Sequence, residues 1–161
     1  MGFPEYLHIL PAVPQVRRPS VRAVPALTGA LRGLVTNASL IAGVAGAGAD
    51  RQTIALVGIA GLAAGAFTLS AGGYFGQAKS RITAPGALAP FVVGALIPLW
   101  PYLVGLPVLA LALVPAGVIA VVGGAVVAKL SARPMLAGCL RQFAAVFFAA
   151  GMAFTFGHLI S

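Results

Sequence analysis

Between Arg81 and Lys129 the chain carries no charged side chain. A membrane crossing takes about 20 apolar residues to traverse roughly 30 Å of hydrocarbon, so residues 82–128 are too long for one span and must turn once. Trp100-Pro101-Tyr102, with Gly105 and Pro107 behind it, supplies the turn and an aromatic belt for the interface. The rest of the 161 residues is of the same kind: 60% are hydrophobic, 7% are charged, and the mean hydropathy is +1.04. Water-soluble domains carry about a quarter charged residues, so this chain needs a bilayer to cover it.

Five stretches are long and apolar enough to cross, at about 28–49, 54–76, 86–103, 106–128 and 140–159. The expected fold is an all-α integral membrane protein: a five-transmembrane-helix bundle over residues 26–161, preceded by a tail of residues 1–25. Five spans put the termini on opposite sides. Arg17, Arg18 and Arg22 precede the first span, Lys79 and Arg81 separate the second from the third, and Lys129, Arg133 and Arg141 separate the fourth from the fifth. All fall on one face, and the other face has only Arg51, beside Asp50. The positive-inside rule then makes the N-terminus cytoplasmic and the C-terminus external. The expected location is a bacterial inner (plasma) membrane.

The net charge of +8 is explained by this topogenic placement and by attraction to anionic headgroups. With no basic soluble domain, nucleic acid is not an expected partner. Residues 1–10 lack the basic leader and apolar run of a secretion signal; residues 3–10 suit the membrane interface, and 11–25 read as a proline-rich linker. A single cysteine, Cys139, excludes an intrachain disulfide and a thiolate metal cluster, and reads as an apolar filler.

Lipid gives helices no hydrophobic reason to associate, so small residues that permit close backbone approach mark the interfaces. Gly29 and Gly33 in the first span and Gly61 and Gly65 in the second predict that these two form the tight pair, with the first span also suited to self-association. Pro90, Pro98 and Pro101 are expected to kink the third.

An ionisable group within a span is costly and points to function. Arg32 is that group, close to Thr36, Asn37 and Ser39. It either serves a pathway or snorkels to the cytoplasmic headgroups. Asn37 lies deeper and calls for an interhelical hydrogen bond. Thr68 and Ser70 can bond back to their own helix. Residues His8 and Glu5 on the tail do not make a metal site, and His158 reads as interfacial. No catalytic triad, phosphate loop or carboxylate pair is present, so an enzyme is not expected, and no cofactor or resident metal.

The run Arg32-Gly-Leu-Val-Thr-Asn-Ala-Ser-Leu-Ile-Ala-Gly-Val-Ala-Gly-Ala-Gly-Ala-Asp50 resembles the first helix of the vacuolar iron transporter (VIT) family, typically Asp-Gly-Leu-Val-Ser-Thr-Ala-Ser-Leu-Val-x-Gly-Val-Ala-Gly-Ala. Gly61-Leu-Ala-Ala-Gly-Ala-Phe-Thr-Leu-Ser-Ala-Gly-Gly-Tyr74 is similar to the family's second helix, Gly-Leu-Val-Ala-Gly-Ala-Leu-Ser-Met-Ala-Ala-Gly-Glu-Tyr. Gly94-Ala-Leu-Ile-Pro-Leu-Trp-Pro-Tyr102 and Arg141-Gln142 fit its third and fifth helices. The resemblance implies five spans with an inside N-terminus, and a homodimer exchanging Fe²⁺ or Mn²⁺ for protons along a path between subunits. It also implies where this chain departs. The family's intramembrane Asp falls on Arg32, its Met on Leu69 and its Glu on Gly73. Its acidic metal-binding domain between helices two and three is replaced by a short loop around residues 77–85.

Three functions follow as expectations. One is divalent-metal transport along an altered path using Arg32, Thr36, Asn37, Ser39, Thr68, Leu69 and Gly73. The second is a transport-inactive structural or regulatory subunit of a larger membrane complex. The third is an anion or lipid-headgroup pathway built on Arg32, since guanidinium suits phosphate and carboxylate. Membrane lipids and a second copy of the chain are the expected partners.

Overall fold

A computed structural model describes residues 23–75 and 84–161, and the side chains of residues 23–71 and 87–161. The described chain folds into five helices: α1 (Ala23–Gly46), α2 (Arg51–Phe75), α3 (Ala84–Leu103), α4 (Leu109–Leu130) and α5 (Met135–Ile160). Four of them are long and apolar enough to cross a membrane, and α3 is apolar from Ala87 to Leu103. The protein is an all-α membrane bundle. The interfacial segment expected at residues 3–10 and most of the linker at 11–25 lie outside the described residues, as does most of the loop at 77–85.

Element boundaries differ from expectation for local reasons. Helix α1 is described from Ala23, so Pro25 lies within it rather than in a linker. At its other end α1 stops at Gly46. Gly48 at φ 72° turns the chain, Gly48 N–H donates to Ala45 O, and Ala49 N–H donates to Val44 O, which closes the last carbonyls in a Schellman motif. The aromatic cluster Trp100-Pro101-Tyr102 is helical, and the turn comes later, at Gly105 with φ 94°. Pro107 disfavours helix at Leu106, so α4 starts at Leu109. Helix α5 starts at Met135, more than a turn before the expected residue 140.

Helix α1 is the hub. It packs against each of the other four, whereas α2 touches only α1 and α3, and α5 touches only α1 and α4. Helices α1, α3 and α5 run one way and α2 and α4 the other, so the ends carrying Lys129, Arg133 and Arg141 meet the start of α1 at one basic end. One part of the core joins Leu31 and Leu34 of α1 to Ala116, Ala120 and Val127 of α4 and Val146 of α5. A second, towards the far end, gathers Ile41, Ile54, Leu99, Tyr102 and Ala112.

The tight pair is α1 with α3, not α1 with α2 as the glycine pattern predicts. A Cβ on Gly33 would overlap the carbonyl oxygen of Phe91, and one on Gly94 would overlap that of Ala30. Gly29 packs on Ala87 less tightly, its would-be Cβ 2.5 Å from the carbonyl oxygen. These glycines are taken up in packing within the chain. Gly61 and Gly65 of α2 accept side chains instead, Leu40 against the first and Phe91 against the second. Further along, Gly43, Gly46 and Gly157 bring α1 against α5.

Candidate functional site

Arg32 lies about 13 Å along α1 from Ala23 at 1.5 Å per residue. One turn on is Thr36, and the two side chains share a face. Both line a cleft of about 320 Å³ formed by α1, α4 and α5, with Thr28 and Leu31 of α1 and Arg141 and Gln142 of α5. Gly124 and Val127 of α4 close its apolar side. The cleft has a sequence cause. Gly124 and Gly138 let α4 and α5 touch backbone to backbone, and a Cβ on Gly124 would stand 2.8 Å from Gln142 Cγ. The next turn of α5 therefore carries Arg141 and Gln142 to the face of α1. An adjoining cleft of about 290 Å³ shares Val127 and Arg141 and adds Ser131 and Arg133.

Two guanidinium groups thus line one cavity beneath the basic end. Asp50 is the only acid among the described residues, and it sits at the opposite end of α1. The hydroxyl of Thr28 donates to Val24 O and Pro25 O, both at 2.9 Å, which leaves its oxygen lone pairs as acceptors only. Arg32 and Arg141 are both exposed, and both line the cleft.

Asn37 points elsewhere. It is 1% exposed, and its Nδ2–H donates to Ala95 O of α3 at 2.7 Å, the interhelical bond expected of it. Its Oδ1 is buried with no partner and lies 3.2 Å from where a Cβ on Gly61 would be. Buried amide oxygens rarely go unpaired, since desolvation without a partner costs about 1–3 kcal/mol. Three helices meet here: α1 supplies the amide, α3 the acceptor and α2 the gap.

The other expected pathway residues join neither place. Ser39 donates to Thr36 O, Thr68 to Ala64 O and Ser70 to Ala66 O, so each hydroxyl is satisfied on its own helix. Thr68 is exposed on α2, Leu69 is half-buried, and Gly73 is placed in α2 without described surroundings. The expected set therefore splits: Arg32 and Thr36 share a cleft, Asn37 crosses to α3, and Thr68 and Leu69 belong to the outer helix. The sequence reading missed Arg141 and Gln142 as partners of Arg32. Their signal was the start of α5: with Met135 as its first residue, Arg141 stands nearly two turns inside the helix rather than at its edge.

The far end uses its charges structurally. Asp50 precedes the first residue of α2; its Oδ2 accepts from Gln52 N–H at 3.1 Å and its Oδ1 from the Thr53 hydroxyl. The Thr53 bond holds the carboxyl below its ordinary range. Arg51 donates from Nη1 to Tyr102 O at 3.5 Å, reaching the last turn of α3, where the helix dipole favours a cation. Among the described residues no group of three or more His, Cys, Asp or Glu side chains stands together to hold a metal ion.

Residues 24–88, which take in nearly all of α1, the whole of α2 and the first turn of α3, match the family model described as the VIT family. The likeness to that family rests on this segment, and the apolar helices make the chain an integral membrane protein. The likenesses at Gly94 to Tyr102 and at Arg141-Gln142 lie beyond the matched residues. No curated protein and no solved structure matches the chain.

Proposed function

We propose that this chain is a VIT-type membrane protein whose inherited role is transport of a divalent metal, Fe²⁺ or Mn²⁺, and in which Arg32 bars that cation from the path. The observation that carries this reading is that Arg32, at the position where the family has its intramembrane Asp, shares a cleft with Arg141. A divalent cation about 5 Å from one guanidinium meets roughly 6–7 kcal/mol of repulsion at an effective dielectric constant near 20. A hard cation also needs oxygen ligands and negative charge to replace its hydration shell, and the cleft offers only hydroxyls and one amide. The chain then persists as a transport-inactive structural or regulatory subunit of a membrane complex, working as a homodimer.

One feature favours retained transport as a second reading. The unpartnered Oδ1 of Asn37, buried where α1, α2 and α3 meet, is a neutral oxygen free to ligate a cation on an uncharged route.

The experiment is Fe²⁺ and Mn²⁺ flux into proteoliposomes, comparing the wild type with Arg32→Asp and Asn37→Leu. A silent wild type with flux in Arg32→Asp supports a path closed by one charge. Flux in the wild type that Asn37→Leu abolishes moves the assignment to the second reading. Silence in both the wild type and Arg32→Asp removes metal transport and leaves the subunit.

A further inference from the structure

We propose that the cleft between α1, α4 and α5 is a binding site for a phosphate oxyanion, held by Arg32 and Arg141 and presented by an anionic lipid of the leaflet at the basic end. The assignment goes beyond the barred-cation reading and does not depend on it.

The chemistry of the lining is one-sided. Arg32 and Arg141 bring two planar donor forks from two different helices, and Gln142 adds an amide that donates or accepts. Thr28 and Thr36 border the same space, and Gly124 and Val127 give the opposite side no polar atom beyond the backbone. Guanidinium forks match the oxygen geometry of phosphate and bind it through paired charge-assisted hydrogen bonds. Two like charges sharing a cavity repel each other, and an anion between them converts that repulsion into two attractions.

Size and position favour a lipid as the source. The cleft of about 320 Å³ admits a phosphate, and the adjoining cleft of about 290 Å³, which shares Arg141, gives room for a headgroup substituent beside Ser131 and Arg133. Both open where α1 and α5 begin and α4 ends, the level at which long basic side chains reach headgroups. Lys129 stands at the same end and lines neither cleft. It therefore separates a built site from a merely basic surface.

The test uses the intact chain in neutral phosphatidylcholine micelles, titrated with phosphatidic acid and, separately, with inorganic phosphate, and reads the rise in thermal unfolding midpoint. Phosphatidic acid is expected to stabilise the wild type where added phosphatidylcholine does not. Arg32→Gln combined with Arg141→Gln is expected to weaken the apparent affinity at least tenfold, because both charge-assisted forks are lost. Lys129→Gln, which removes the same charge outside the cleft, is expected to leave it within a few-fold. Arg32→Lys keeps the charge and loses the fork, and is expected to fall between; it also serves if the double variant does not fold. If inorganic phosphate alone gives the wild-type shift and loses it in the arginine variants, the site stands and its source is soluble. An equal loss in Lys129→Gln, or no loss in the arginine variants, overturns the proposal.

Discussion

Ala132 closes α4 with φ at 52°, a conformation that costs an L-residue with a Cβ roughly 1–2 kcal/mol and costs glycine almost nothing. The geometry is otherwise a complete cap: Ala132 N–H donates to Lys129 O and Arg133 N–H to Ala128 O. Ala132→Gly is expected to stabilise the folded protein by about 1 kcal/mol, because the strain removed exceeds the extra chain entropy of the unfolded state. Thermal unfolding in detergent, wild type beside variant, checks this; an unchanged or lowered midpoint would mean that the cap is not strained. Single residues were also where the sequence spoke most clearly about chemistry. Arg32 stands out by charge alone, and Asn37 by the cost of burying an amide. What the sequence could not supply was the company each keeps. Arg32 and Asn37 are five positions apart, which on a helix turns them towards different neighbours, and only the packing says that one shares a cleft with Arg141 and the other bonds to Ala95.

At the scale of elements, hydropathy located all five helices, because an uncharged run has few other fates in a membrane protein. Pairing was misread. Gly29 and Gly33 advertise a face for close contact, yet small residues say only that some backbone approaches, not which one. The answer lies in the complementary helix. Helix α3 carries Gly94 in register with Ala30, so each backbone fits the other, while Gly61 and Gly65 of α2 receive the side chains of Leu40 and Phe91. The two arrangements differ in what they tolerate. Gly33→Val is expected to cost about 2–3 kcal/mol or more, since the overlap is with the Phe91 backbone, which cannot move without shifting α3. Gly65→Ala meets only ring atoms at the far end of the Phe91 side chain, not backbone, and is expected to cost less than half as much. Unfolding midpoints of the two variants compare them directly. Equal costs would show that α1–α2 packing is as rigid as α1–α3.

For the whole molecule the governing quantity is the asymmetry of charge between its ends. Helices α1, α3 and α5 run parallel to one another, so the starts of α1 and α5 and the end of α4 gather the arginines and Lys129 at one pole. At the other pole stand Asp50 and Arg51, and each is engaged in holding a helix terminus. Since these far-end charges serve α2 and α3, they add little to the topogenic bias, and the basic pole alone decides orientation. Because Cys139 is the sole cysteine, its replacement by alanine gives a background in which one new thiol reports one side. Ser161→Cys in that background is expected to react with a membrane-impermeant maleimide added to intact cells, and Ser131→Cys only after permeabilisation. Both positions are exposed in the fold, so the difference reads the membrane and not burial. The reverse pattern would place the arginine cleft at the outer leaflet, where the cytoplasmic pool of anionic lipid is absent, and would force its ligand to be sought outside the cell.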